Sequence, residues 1–183
     1  AKSFQADIVS VPMKDFKHDL NAMLSAITPE TRIVFVDNPN NPTSTMVGET
    51  ELDSFIEKVP DHVVVCVDEA YIELVEKKFQ PDTLKHVRDG KKVVVLRTFS
   101  KTYGLAGLRI GYAVAPAECI ALLGRVRQPF NVNGMAQAAA MAALDDDEHV
   151  ERTREMVKSG LLYFRETFEK MGLETVPASA NFI

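Results

Sequence analysis

The chain has 183 residues, 46% of them hydrophobic and 26% charged, values ordinary for a globular protein with a sizeable core. Its 21 Lys and Arg against 26 Asp and Glu give a net charge of −5, and the pI lies near 5.4, so a phosphate-backbone binder is not expected. The longest apolar runs, such as Val63–Val67, are too short to span a bilayer, and no signal peptide opens the chain; no membrane or nucleic-acid partner is expected, and a cytoplasmic location is. The sequence starts at Ala1 without an initiator Met and stops in mid-pattern at Ile183, which suggests part of a larger protein.

Taken in chain order, short apolar runs alternate with helical patterns. Ile8–Val11 reads as a strand, and Leu20, Met23, Leu24 and Ile27 fit a helix closed by Thr28-Pro29. Ile33–Val36 is a strand before the turn-rich Asp37–Thr45. Leu52, Phe55, Ile56 and Val59 form the next helix, with Thr50 as its N-cap. Strands at Val63–Val67 and Val93–Leu96 flank a short helix at Asp82–Asp89, and Ile110–Ala115 is one more strand. Helices follow near Ala117–Arg125 and Gly134–Leu144. A long one runs from Glu148 to Met171, with the acidic run Asp145–Glu148 at its N-terminus and Gly172 ending it.

Strands apolar on both faces, alternating with helices, predict an α/β fold: a three-layer α/β/α arrangement around a mostly parallel sheet. Cys66 and Cys119 have no ligand-spaced partners, so they read as buried thiols and no metal site is expected. His18, His62, His86 and His149 fall in polar, loop or helix-edge contexts and are expected to be solvated. Met135, Met141 and the alanines Ala136–Ala143 suggest close helix packing, at a dimer interface or, as the first choice, within the domain.

In an open parallel sheet, ligands bind beyond the carboxyl ends of the strands. Three successive strand ends carry unusual residues here. After Val36 comes Asn38-Pro-Asn-Asn-Pro-Thr43, after Val67 comes Asp68-Glu-Ala-Tyr71, and after Leu96 comes Arg97-Thr-Phe-Ser-Lys101. Each has a plain alternative: Asn-Pro makes turns, an aspartate can cap the next element, a lysine is usually solvated, and Gly104–Gly111 is no standard phosphate loop. Their joint occurrence places an amide, a carboxylate, a phenol and a lysine at one rim. That is the set pyridoxal phosphate requires. A lysine forms the Schiff base, a carboxylate keeps the ring nitrogen protonated, donors hold the ring oxygen, and hydroxyls with an arginine fork hold the phosphate.

Asn41-Pro42-Thr43, Asp68-Glu-Ala-Tyr71 and Thr98-Phe-Ser-Lys101 followed by Arg109-Ile-Gly111 resemble the signatures of fold-type I, class I/II aminotransferases, and the fuller strings look most like those of histidinol-phosphate aminotransferases. The resemblance implies a cofactor, pyridoxal 5'-phosphate, held by Asn41, Asp68, Tyr71, Thr98, Ser100, Lys101 and Arg109. Lys101 carries the cofactor and shuttles the substrate proton; Asp68 pairs with the ring nitrogen; Tyr71 and Asn41 donate to the ring oxygen; Thr98, Ser100 and Arg109 bind the phosphate. It also implies that the Ile110–Ala115 strand is antiparallel.

The activity so implied is amino transfer between L-histidinol phosphate and 2-oxoglutarate in histidine biosynthesis, by a cytoplasmic homodimer. Threonine-phosphate decarboxylases and aromatic aminotransferases share much of the set, and a non-catalytic cofactor-binding fragment is the alternative of another class. The resemblance assigns residues 1–172 to a large cofactor-binding domain lacking its N-terminal part, and residues 173–183 to the start of a truncated small domain. The family's N-terminal phosphate loop, ring-stacking aromatic and C-terminal substrate arginine have no counterpart in the sequence. Thr98 stands where Ser is common. Ser44 stands where many members have Gly, and a left-handed Ser there costs about 1–2 kcal/mol.

Overall fold

The computed structural model describes residues 6–183. Four strands form one sheet in the order β1 (Ile33–Asp37), β2 (Val64–Asp68), β3 (Val93–Thr98) and β4 (Gly111–Val114). The first three are parallel, and β4 runs antiparallel to β3. Six helices accompany them: α1 (Leu20–Ser25), α2 (Glu49–Lys58), α3 (Leu84–Arg88), α4 (Ala117–Val126), α5 (Gly134–Leu144) and α6 (Asp147–Lys170). The fold is therefore α/β with a mostly parallel sheet.

Register explains the core. Val36, Val67 and Val95 lie side by side across β1, β2 and β3, and none is exposed to solvent. Helix α2 presents Leu52, Phe55 and Ile56 at the i, i+3, i+4 spacing of one helical face, and these join the valines in a single cluster. Leu20, Met23 and Leu24 of α1 and Leu84 and Val87 of α3 pack against the same cluster. Truncating a fully buried member such as Leu52 to Ala costs about 2–5 kcal/mol, because the cavity only partly collapses. Gly111 opens β4 for a steric reason: a Cβ there would lie 2.7 Å from the carbonyl oxygen of Arg97, so only glycine lets β4 pair beside Thr98.

The long helix is capped at both ends. Asp146 accepts from the His149 N–H at 2.9 Å, with Asp147 and Glu148 in the first turn. Gly172 (φ +72°) stops it, where the Gly172 and Leu173 N–H groups return to the carbonyls of Glu169 and Phe168.

Five expectations need correction. Ile8–Val11 is not a strand: Ile8 and Val9 are exposed, and no strand among the described residues pairs with the segment. The cap of α2 is Gly48, and Thr50 lies inside the first turn, where Glu49 and Glu51 supply the favourable charge. His86 is not solvated but 3% exposed. Asp53 and Glu57, one turn apart on α2, draw it into the seam with α3, its Nε2 2.8 Å from Asp53 Oδ1. His18 is also mostly buried, against Asp37. In α5, the alanines Ala136 and Ala140 face inward one turn apart, leaving Met135 and Met141 exposed rather than packed within the domain. Cys66 and Cys119 are buried, unbonded thiols.

Candidate active site

The C-terminal ends of β1, β2 and β3 line one rim of the sheet. Asp37 is in register with Asp68, and Asp68 with Leu96, so the loops after these strands leave from one level. The loop after β1 is stiffened by its own asparagines. The Asn38 amide pairs with both backbone groups of Val47, at 3.1 and 2.8 Å, and Asn40 Oδ1 accepts from the N–H and hydroxyl of Thr43. Asn41 is thereby carried to the exposed side of the rim. Its Nδ2 donates to the Tyr71 hydroxyl at 3.1 Å, joining the first strand end to the second.

Tyr71 is 5% exposed and stands at the head of a short 3₁₀ turn, Ile72–Leu74. The ring of Phe182 meets it edge-on, with centroids 5.3 Å apart. Lys101 Nζ lies 5.2 Å from the Tyr71 ring centroid, over its face, and the lysine side chain is open to solvent. Amide and amine therefore both meet the Tyr71 phenol.

Asp68 and the phosphate-binding candidates flank this group. Burial pushes the Asp68 carboxyl above the usual carboxylate range, the Ala70 N–H donating at 3.0 Å opposes this, and the charge of Asp37 raises it further. A cationic N–H placed before Asp68 would relieve that penalty. Thr98 ends β3, and its hydroxyl accepts from the Ser100 N–H at 3.1 Å, folding Ser100 back toward the rim. Arg109, in a left-handed conformation (φ +51°), points Nη1 at Ser100 Oγ, 3.5 Å away, and donates to the Ala106 carbonyl at 2.7 Å. Hydroxyl and guanidinium thus share one corner, leaving further guanidinium donors for an anion.

All seven candidate residues lie along this rim. Direct contacts join Asn41 to Tyr71, Lys101 to Tyr71, Thr98 to Ser100 and Ser100 to Arg109; the Asp68 carboxylate hydrogen-bonds to the Ala70 N–H rather than to any of the other six. Four neighbours escaped the sequence reading. Glu69, 1% exposed, takes both Nε (2.9 Å) and Nη2 (2.7 Å) of Arg97 on its Oε2, bracing β2 against β3 directly behind Asp68 and Thr98. His18 and Asp37 form a 2.6 Å pair beside Asn41. Glu69 and Arg97 stand inside the strand-end strings and Asp37 at the end of its strand, but nothing in the local sequence pairs them or brings His18 to the rim.

Comparison with known proteins places this geometry. The family described as "Aminotransferase class I and II" matches residues 1–183. The histidinol-phosphate aminotransferase of Akkermansia muciniphila is 53% identical over 184 residues, which cover 100% of this chain and 50% of that protein. That of Moorella thermoacetica is 54% identical over 176 residues, 96% of this chain and 46% of its own length. The crystal structure of histidinol-phosphate aminotransferase from Sinorhizobium meliloti in complex with pyridoxal-5'-phosphate superposes with a TM-score of 0.88 at 28% identity, covering 94% of this chain and 47% of that one. The chain spans about half the length of the curated relatives it matches. A match along its whole length, with relatives half identical to it, shows that the chain belongs to the class I and II aminotransferase family.

Proposed function

We propose that this chain carries the pyridoxal 5'-phosphate site of an aminotransferase that moves an amino group between L-histidinol phosphate and 2-oxoglutarate. The observation that carries the reading is the Tyr71 junction, where Asn41 Nδ2 lies 3.1 Å from the hydroxyl and Lys101 Nζ lies over the ring. The residues fit the cofactor. Asp68 is a carboxylate penalised by burial with only one N–H donor, Lys101 is an accessible amine, and the Ser100–Arg109 corner has donors to spare.

When bound, pyridoxal phosphate supplies an aldehyde for an amine and a protonated ring that accepts the electron pair released at the substrate Cα. Asp68 holds the proton on the ring nitrogen, since its charge favours the pyridinium form. Tyr71 Oη and Asn41 Nδ2 donate to the ring oxygen. Thr98, Ser100 and Arg109 hold the phosphate and fix the orientation. Lys101 Nζ, an accessible amine over the Tyr71 ring, would hold the cofactor and would carry the proton to and from the substrate Cα. Proximity gives that transfer much of its rate.

Residues 1–172 belong in this reading to a large cofactor-binding domain and residues 173–183 to the opening of a small one, in a homodimeric cytoplasmic enzyme. The free buried cysteines support a reducing compartment, and no helix among the described residues is long and apolar enough to cross a membrane. The test uses the intact protein. Borohydride should fix the cofactor's mass on the peptide holding Lys101, and Lys101→Ala should abolish that adduct. Incubation with L-histidinol phosphate and 2-oxoglutarate should yield glutamate; CO2 release without glutamate would replace this reading with a decarboxylase.

A further inference from the structure

The Asn41 amide can donate to a ring oxygen only if the loop after β1 holds it there. We propose that His18 and Asp37 are positioning residues for Asn41, a two-residue brace that fixes this donor from behind. The inference rests on the proposed role of Asn41 and adds two residues to which no role has been given.

Asp37 ends β1, and its carboxylate collects three donors. Oδ1 takes His18 Nε2 at 2.6 Å; Oδ2 takes the Asn41 backbone N–H at 3.0 Å and Asn40 Nδ2 at 2.9 Å. Asn40 Nδ2 also lies 3.3 Å from His18 Nε2, so two donors converge on one carboxylate rather than on each other. His18 comes from the segment before α1, 19 residues upstream, and its side chain is 18% exposed. Three elements are tied at one point: the entry to α1, the end of β1 and the Asn-Pro loop.

Chemistry explains why a carboxylate stands there. Only an ionised carboxylate offers acceptors alone; Asn would turn its own NH2 group toward one of the three donors. The site needs compensation, because Asp37 lies in register with Asp68 and the like charges repel. Burial pushes the Asp37 carboxyl up, but donation from His18, the Asn41 N–H and Asn40 outweighs it and holds it at about 2. The titratable groups facing this corner are Asp37, His18 and Asp68, with Tyr71 and Lys101 across Asn41. With Asp37 clamping its backbone, Asn41 is left one task for its side chain, the 3.1 Å contact with Tyr71.

The experiment compares His18→Ala, His18→Gln, Asp37→Asn and Asn41→Ala in the intact protein, with and without cofactor. With pyridoxal phosphate bound, the pH midpoint of its visible absorption band is read. Losing the donor raises the proton affinity of the imine nitrogen, so Asn41→Ala should shift the midpoint upward. Asp37→Asn and His18→Ala should shift it the same way by roughly half to one pH unit, the scale of a weakened charge-assisted hydrogen bond. His18→Gln, which keeps an N–H donor, should recover part of the shift. His18→Ala added to Asn41→Ala should produce no further shift, since both act through one amide, whereas Asp37→Asn also removes a charge beside Asp68.

Without cofactor, hydrogen exchange at the Asn41 N–H should speed up at least several-fold in Asp37→Asn and His18→Ala. An unchanged midpoint in His18→Ala and Asp37→Asn, beside a shifted one in Asn41→Ala, overturns the brace. So does an additive double variant. Should the wild type bind no cofactor at all, the functional reading fails instead, and the exchange rates still decide the positioning claim. If Asp37→Asn does not fold, the two His18 variants carry the test.

Discussion

Ser44 is a residue whose backbone and side chain pull in opposite directions. Its φ of +60° places it in the left-handed region, where a side chain costs about 1–2 kcal/mol, yet it is fully buried. What offsets the strain is a contact 136 residues away in sequence: Ser44 Oγ accepts from the Ala180 N–H at 2.9 Å, while the Ser44 carbonyl accepts from the Ser179 N–H at 2.6 Å. Ala180 is 1% exposed, so without the hydroxyl its N–H has no access to water. Leaving a buried donor unpaired costs about 1–3 kcal/mol. Ser44→Ala keeps the strain and orphans the donor, so it should lose about 2 kcal/mol by urea unfolding. Ser44→Gly orphans the same donor but relieves the backbone, less the roughly 0.5–1 kcal/mol entropy cost of glycine, and should lose only about 1 kcal/mol. Ranking the variants is the decisive measurement. A Gly variant less stable than the Ala variant would refute the strain argument, and an Ala variant as stable as wild type would remove the hydroxyl from it.

Glu69→Ala leaves the Arg97 guanidinium without its partner in a mostly buried site and should cost about 3–5 kcal/mol in urea unfolding; a loss under 1 kcal/mol would show the pair to be solvent-screened. Asp68→Asn should raise the thermal midpoint of the cofactor-free protein at pH 7 while weakening cofactor binding. Burial raises the folded carboxyl above its unfolded value, so ionisation opposes folding above the unfolded pKa, and a neutral amide removes that penalty. A lower midpoint at pH 7 contradicts the sign. Burial, with a smaller push from Asp68, drives the Cys66 thiol up to about 11, so iodoacetamide at pH 8 should leave it unlabelled in folded protein and label it in urea, as read by peptide mass. Labelling at the unfolded rate in native buffer speaks against that burial.

The strand ends were legible because chemistry and periodicity change at the same place. Asp68 directly follows the apolar run Val63–Val67, Arg97 and Thr98 follow the run Val93–Leu96, and the parallel register brings those ends level. Strand direction was not legible from the pattern around Tyr112, since a period of two reads the same either way; only the family resemblance implied that β4 is antiparallel. Ile8–Val11 has strand composition but no partner among the described residues, and composition cannot supply one. His86 and His18 sit in polar local sequence, and what buries them is carboxylates brought near by the fold: Asp53 from 33 residues away and Asp37 from 19. The partner of Ser44 lay 136 residues off, beyond any window.

Asp37 and Asp68 are the same residue type in neighbouring register positions at the ends of parallel strands, and their surroundings drive their acidities apart. Three donors hold Asp37 at about 2 despite its burial, whereas Asp68 has the Ala70 N–H alone and is raised by burial and by Asp37 itself. Groups separated in this way take different tasks. Asp37 is saturated: a further cation gains little there, and its charge is spent on the loop that carries Asn41. Asp68 is unsatisfied, and a ring N–H⁺ placed before it gains both the hydrogen bond and the field of the carboxylate behind. The repulsion between the pair, a cost to the folded chain alone, would in the proposed role of Asp68 contribute to holding a proton on the cofactor. This asymmetry supports Asp68 rather than Asp37 as the partner of the ring nitrogen. It also explains why a structure can tolerate two carboxylates side by side where one alone would fold more easily.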